Sequence, residues 1–145
     1  MKTAELTRKP AITCEAGTTL AESAELMHNQ DVGSVIVLDR GRLRGIATDR
    51  DIVVRGLAAG LGPDAPIEAV MTSDVAYITE QDDAWSAATQ MATRGCRRLP
   101  VLDSTGMVVG IITLDDLISL FATQIDKLAH TVRSELHRHE PVDLG

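Results

Sequence analysis

Aromatic side chains are nearly absent from this chain, with Tyr77, Trp85 and Phe121 the full set among 145 residues. A core must therefore be built from Val, Ile, Leu, Ala and Met, and the stacking platforms of a single-strand binder are missing. Positive charge is short as well. With 14 Lys and Arg against 21 Asp and Glu, the formal net charge is −7, which argues against a nucleic-acid partner held by many phosphate contacts. No apolar run is long enough to cross a bilayer, and the opening "MKTAELTRKP" lacks the apolar stretch of a secretory signal. A cytoplasmic location without a membrane partner is expected. The two cysteines, Cys14 and Cys96, form neither a metal spacing nor a disulfide framework. They are expected as two buried thiols, with a bond between them the alternative. His28, His130, His137 and His139 show no zinc-type pairing with cysteine or glutamate, and the last two sit in a polar tail, "ELHRHEP", expected to face solvent. Neither a Gly-x-Ser-x-Gly elbow nor a Walker loop occurs. No catalysis, no bound metal and no required cofactor are expected.

What the chain does contain is a repeat. "GIATDRDI" (residues 45–52) returns as "GIITLDDL" (residues 110–117). A shift of 64 positions superposes Ala24 on Ala88, Met27 on Met91, Val37 on Val101 and Asp39 on Asp103. One inserted residue, Thr105, makes the shift 65, and Gly41 then meets Gly106, Gly45 Gly110, Thr48 Thr113 and Asp51 Asp116. Repeats of this kind define architecture before any other signal does.

Each copy reads as β-α-β-β-α. An extended piece ("AITC", "VAYI") precedes a helix over Leu20–Asn29 or Ala84–Thr93, whose apolar residues recur at helical spacing. Two runs of Val, Ile and Leu around an Asp-to-Gly turn then predict a hairpin, and a second helix starts after Thr48 and after Thr113. A unit of about 50 residues buries its sheet poorly alone, so two units facing one another are expected. The predicted division is repeat one at 8–62, repeat two at 67–123, and a helical extension and tail at 124–145, with "GLAAGLGPDAP" as the join. The fold class is α/β (α+β).

The tandem units resemble a pair of cystathionine-β-synthase (CBS) domains, the arrangement called a Bateman module. The resemblance runs from about Ala11 to Phe121 and rests on "VMTSDV", "RRLPVLD" and the two GI-x-T-x-x-D phrases. "TDRDIVVRGLAAG" further resembles small stand-alone bacterial versions of the module. The fold and function that follow are what the resemblance implies: a pseudo-two-fold module that binds an adenosine compound in clefts between its repeats, and a flat homodimer.

The Thr-x-x-Asp phrase has two readings. As a capping box, the Thr hydroxyl accepts a backbone N–H of the first turn and the acid suits the helix dipole. As a ligand site, it lies at the C-terminal end of a strand, where open α/β layers leave a crevice, and at a helix start that attracts anions. A carboxylate there opposes a phosphate but can accept the two hydroxyls of a ribose. The resemblance implies this assignment, with ribose on Asp51 and Asp116 and the phosphate near Thr48 and Thr113. Related nucleotide sensors place basic residues where this chain has Arg97 and Arg98. Copy one has Gly33 and Ser34 there, and offers Arg50 inside its motif instead. The family pattern sets the base beside Ile12, Cys14, Val35 and Ile36 in copy one, and beside Tyr77, Ile78, Leu99 and Pro100 in copy two. Each of these has a plain alternative as core. Arg40, Arg42 and Arg44 alternate at the hairpin and are read as a solvated strand face.

From Asp115 to about His139, running past the end of the second repeat, Leu117, Leu120, Phe121, Ile125, Leu128, Val132 and Leu136 recur every three or four residues. Such a stripe needs cover, either by folding back or by pairing with another copy. Trp85, aligned with Ala21, is a candidate for the same interface or for core packing. The expected function is regulatory binding of AMP, ADP or ATP, with S-adenosylmethionine or NAD as other adenosine ligands, and with the signal passed to an unidentified protein partner. The alternatives are a dimeric scaffold with empty sites and a protein whose Cys14 and Cys96 respond to oxidation.

Overall fold

A computed structural model describes residues 10–139. Residues 8 and 9 of the expected first repeat, the tail from residue 140 and the side chains of Arg138 and His139 lie outside the described residues. The expected element order is present twice. Repeat one comprises β1 (Thr13–Glu15), α1 (Leu20–Gln30), β2 (Ser34–Asp39), β3 (Arg42–Thr48) and α2 (Asp49–Asp51), which widens into a π-helical turn over Ile52–Leu57. Repeat two comprises β4 (Ile78–Thr79), α3 (Ala84–Arg94), β5 (Arg98–Leu102), β6 (Val108–Thr113) and α4 (Leu114–His139). A short 3-10 turn, Ile67–Ala69, lies in the join. In each repeat the first strand pairs parallel with the second, and the second antiparallel with the third, giving sheets β1-β2-β3 and β4-β5-β6.

The helices begin where side chains supply acceptors for orphan N–H groups. Thr19 accepts from the Glu22 amide at 3.1 Å and Asp83 from the Ser86 amide at 2.7 Å. That bond, stronger to the ionised carboxylate, holds Asp83 below the usual range for an aspartate. Both helices close on left-handed residues, Asp31 (φ 53) and Gly95 (φ 64). The inward faces follow the period: Leu20, Ser23 and Met27 on α1, and Ala84, Ala87 and Met91 on α3. Each packs on one face of its own sheet, through Val35, Val37 and Ala47 in repeat one and Leu99, Val101 and Ile112 in repeat two. Strand parity then aims the residues between them at the other sheet face. These are the cross-strand pairs Ile36–Ile46 and Pro100–Ile111.

The repeats are joined along that second face. The segment entering repeat two pairs with β3, through the Ile46 amide to the Thr72 carbonyl at 3.0 Å and the return bond at 2.8 Å. This explains the glycine of "GIAT". A Cβ on Gly45 would stand 2.6 Å from the Thr72 carbonyl oxygen, so the crossing is open to glycine alone. Arg55 donates to the Val70 and Met71 carbonyls at 3.1 and 3.3 Å and fastens the join to the π-turn. The hairpin tips also touch, with Arg42 pairing with Met107 and donating to the Thr105 carbonyl at 3.3 Å. Arg40 and Arg44 lie exposed as expected, but Arg42 spans the two repeats. The extended pieces begin pairing later than "AITC" and "VAYI" suggest, and the residues ahead of the strands face cavities instead.

Candidate functional site

Both Thr-x-x-Asp phrases form reciprocal caps. The Thr48 hydroxyl accepts from the Asp51 amide at 3.1 Å, and Asp51 Oδ2 accepts from the Thr48 amide at 2.9 Å. In repeat two the corresponding bonds are 3.2 and 3.4 Å. Capping thus engages one oxygen of the Asp51 carboxylate. The other, Oδ1, lies 4.0 Å from Arg55 Nη1, at the limit of an ion pair, with the Arg55 side chain half exposed and that of Asp51 mostly covered.

The two capped helix starts open onto clefts that each draw on both repeats. One, of about 280 Å³, takes Pro10, Ile12, Gly33, Ser34 and Ile36 from repeat one, and Arg98, Ile111 and Thr113 from repeat two. The other, of about 260 Å³, takes Ile46, Thr48 and Asp51 from repeat one, and Asp74, Val75, Ala76, Cys96 and Arg98 from repeat two. The repeat alignment maps one lining onto the other: Ile12 onto Ala76, Val32 onto Cys96, Ser34 onto Arg98, and Thr48 onto Thr113. Each cleft therefore pairs the helix start of one repeat with the pre-strand segments of its sister. Arg98 lines both clefts and a third cavity of about 190 Å³ with Arg97, Thr113, Leu114 and Asp115. Because repeat one has serine at the equivalent position, this shared cation has no symmetry mate.

Several expected site residues lie elsewhere. Arg50 is exposed and lines none of these three cavities, because the first turn of α2 turns it outward. Arg97 is mostly exposed, stands 3.7 Å from Asp115, and reaches only the smallest cavity. Asp116 caps α4 through Thr113. Gly33, Ser34, Ile12 and Ile36 do line a cleft. Val35, Ile78 and Leu99 do not, because strand parity points them into the two cores. Pro100 is buried, Tyr77 is half-exposed outside both cleft walls, and Cys14 packs against the core of repeat one. There, burial raises its thiol pKa, opposed by the Ser23 and Thr18 hydroxyls. Cys14 and Cys96 are both free thiols, the second in a cleft wall.

Residues missed from the sequence are Ile46, Ile111, Thr72 and the run Asp74–Ala76, together with Arg94, which bonds Asp74 at 3.0 Å at the edge of the second cleft. The signal for most of them was the alignment of the repeats. Their assignment to the opposite repeat's motif depends on packing. Among the described residues, no three His, Cys, Asp or Glu side chains gather as a metal would need, and no helix is long and apolar enough to cross a membrane.

Comparison with known proteins gives a consistent picture. The family model for the CBS domain matches residues 4–57 and 67–123. Hypoxic response protein 1 of Mycobacterium tuberculosis is 34% identical over 120 residues, covering 81% of this chain and 83% of that protein. The CBS domain-containing protein YhcV of Bacillus subtilis is 36% identical over 99 residues, covering 68% and 70%. An uncharacterised 17.7 kDa protein of Acidianus ambivalens is 39% identical over 100 residues, 68% of this chain, and the match spans only 60% of that protein's length. Among solved structures, the CBS domain pair of protein MJ0100, in complex with 5′-methylthioadenosine and S-adenosyl-L-methionine, superposes with a TM-score of 0.73 at 28% identity, covering 86% of this chain and 98% of that one. Hypoxic Response Protein I with two coordinated zinc ions superposes with a TM-score of 0.74 at 29% identity, covering 82% and 98%.

Proposed function

The chain belongs to the CBS-domain family, and from that premise we propose that it is a non-catalytic regulatory module that binds an adenosine compound between its two repeats. One observation carries the reading. The second cleft brings the Asp51 carboxylate of repeat one and the Arg98 guanidinium of repeat two into a single cavity of about 260 Å³. A carboxylate and a cation in one cavity suit a ligand with vicinal hydroxyls at one end and negative charge at the other. In this assignment Asp51 Oδ1 accepts the ribose hydroxyls, while Oδ2 keeps its bond to the Thr48 amide. The apolar walls at Ile46, Val75 and Ala76 take the adenine, and the phosphate or carboxylate of the ligand turns toward Arg98 and the start of α2.

The other cleft is lined by Thr113 but not by the Asp116 that shares its cap, and Gly33 and Ser34 stand where repeat two has its arginines. It draws on Arg98 alone, and so favours a ligand with less negative charge. AMP, ADP and ATP fit the second cleft by charge. S-Adenosylmethionine and 5′-methylthioadenosine, the ligands of the MJ0100 pair, fit the first. A ligand touching both repeats biases how they sit against one another by its differential affinity for the two arrangements, and a protein partner reads that change.

The test is a thermal-shift panel of AMP, ADP, ATP, S-adenosylmethionine, 5′-methylthioadenosine and NAD, with GTP as control. A ligand at a hundred times its Kd adds about 2.7 kcal/mol, so the midpoint should rise by roughly 5–10 °C. A rise with an adenosine ligand and none with GTP is expected. A flat panel from a folded protein would leave the Thr-x-x-Asp phrases as helix caps, and the module as a scaffold.

A further inference from the structure

The two clefts are neighbours with a common wall. They share Ile46 and Arg98, one apolar and one charged, and the strand register explains the second. β5 begins at Arg98, whose partner across the hairpin is Thr113, the residue that caps α4. In repeat one the same register sets Ser34 against Thr48. Ser34 lines the first cleft, whereas the longer Arg98 lines both.

The cations around it are already engaged. Arg94 reaches the second cleft but is bound to Asp74, through the carboxylate at 3.0 Å and the main-chain carbonyl at 3.2 Å. Arg97 stands 3.7 Å from Asp115 and lines neither cleft. Arg55, beside Asp51, donates to the Val70 and Met71 carbonyls and also lines neither. Among the described residues, Arg98 has no acidic partner at ion-pair distance. The two linings together hold three carboxylates, Asp31, Asp51 and Asp74, against the guanidiniums of Arg94 and Arg98. With Arg94 answering Asp74, the space offers an incoming anion one positive charge. A phosphate monoester carries about −1.5 to −2 at neutral pH, so a single phosphate already outweighs that cation. A second, arriving from the other cleft, meets net negative charge and a fork of donors in use.

We propose that Arg98 sets the two clefts in competition for phosphorylated ligands: a phosphate held from either cleft withdraws the cation from the other, which then favours an adenosine ligand without a phosphate. The inference rests on the adenosine reading above and adds how its two sites regulate one another. The coupling is reciprocal, each phosphorylated ligand weakening the other by the same factor. Loss of a hydrogen bond to a charged group lowers affinity roughly 10- to 150-fold, which sets the size of the effect. The module then responds to the balance of phosphorylated and unphosphorylated adenosine ligands.

Two variants isolate the clefts in the full chain: Ile12→Trp fills the first, and Ala76→Trp, at the aligned position, fills the second. Isothermal titration of each with AMP gives the affinity of one cleft alone, and adding Arg98→Ala should lower both affinities. In the wild type, the first AMP should bind as it does to the better single cleft. The second should bind roughly 10- to 150-fold more weakly than its cleft does alone. 5′-Methylthioadenosine, which has no phosphate, should fill the cleft left by AMP within about two-fold of its affinity there alone. If a filled cleft fails to fold, Ser34→Arg reads the same coupling: a cation supplied to repeat one should tighten the second AMP roughly ten-fold or more. Two AMP molecules bound independently by the wild type, single clefts indifferent to Arg98→Ala, or a Ser34→Arg chain whose second AMP stays as weak each overturn the competition and leave the adenosine reading standing. A folded chain that binds neither AMP nor 5′-methylthioadenosine overturns both.

Discussion

The substitution Asp51→Asn separates the two tasks assigned to one side chain. In the fold, Oδ2 takes the Thr48 amide at 2.9 Å while the Thr48 hydroxyl takes the Asp51 amide at 3.1 Å. An asparagine retains a carbonyl oxygen for the first bond and leaves the second untouched. What the fold loses is the charge at the start of α2, about 0.3–1 kcal/mol, or a fall in Tm of roughly 1–4 °C for a chain of this length. The ligand loses more. An amide group replaces the outward oxygen and donates where the ribose hydroxyls need an acceptor. A hydrogen bond to a charged group contributes about 1.5–3 kcal/mol, so affinity in the second cleft should fall roughly 10- to 150-fold. Isothermal titration of wild type and variant reads this directly, and differential scanning calorimetry without ligand reads the cap. Asp51→Ala removes both roles and should cost more stability than Asp51→Asn while weakening binding no less. If Asp51→Asn binds within two-fold of wild type, the ribose assignment is wrong, and the carboxylate serves the helix alone.

Four further outcomes follow from the same geometry. Arg98→Ala should weaken an anionic ligand in both clefts, and Arg97→Ala in neither; two-site titrations would show it, and an effect confined to one cleft would refute the shared cation. Gly45→Ala places a methyl 2.6 Å from the Thr72 oxygen and should cost about 1–3 kcal/mol, read as a lower urea midpoint. Leu117→Ala, at a fully buried position, should cost about 2–5 kcal/mol by the same assay. Burial makes the Cys14 thiol harder to ionise folded than unfolded. Its contribution is therefore complete below the ordinary thiol value near 9 and declines as the pH rises above it; replacing Cys14 by Ala should flatten that alkaline decline in stability.

How much of this was legible beforehand depends on the range over which each feature is determined. The caps at Thr48 and Thr113, the hairpin glycines and the helical spacing on α1 and α3 are set within a turn or two of chain, and the repeat writes them twice. They could be read directly. Arg50 misled because a motif position does not state which way a first-turn side chain points. The base-pocket candidates were mixed for a related reason. Strand parity makes Val35 and Ile36 opposites, and only the register against β3 tells which of them meets the helices and which the sister repeat. The apolar period of α4 announced a face in need of cover, but where the protein body ends beneath it was not written in the period.

By itself, then, the sequence determined two β-α-β-β-α units, their capped helix starts and the asymmetry that leaves Arg98 without a counterpart in repeat one. The tertiary structure decided that each helix start faces the segment ahead of the other repeat's first strand, and that Arg98 stands beside both clefts. The physical reason is that such contacts join residues some tens of positions apart across a packed pseudo-two-fold. Burial of the Ile36–Ile46 and Pro100–Ile111 faces, rather than any local preference of the backbone, brings them together.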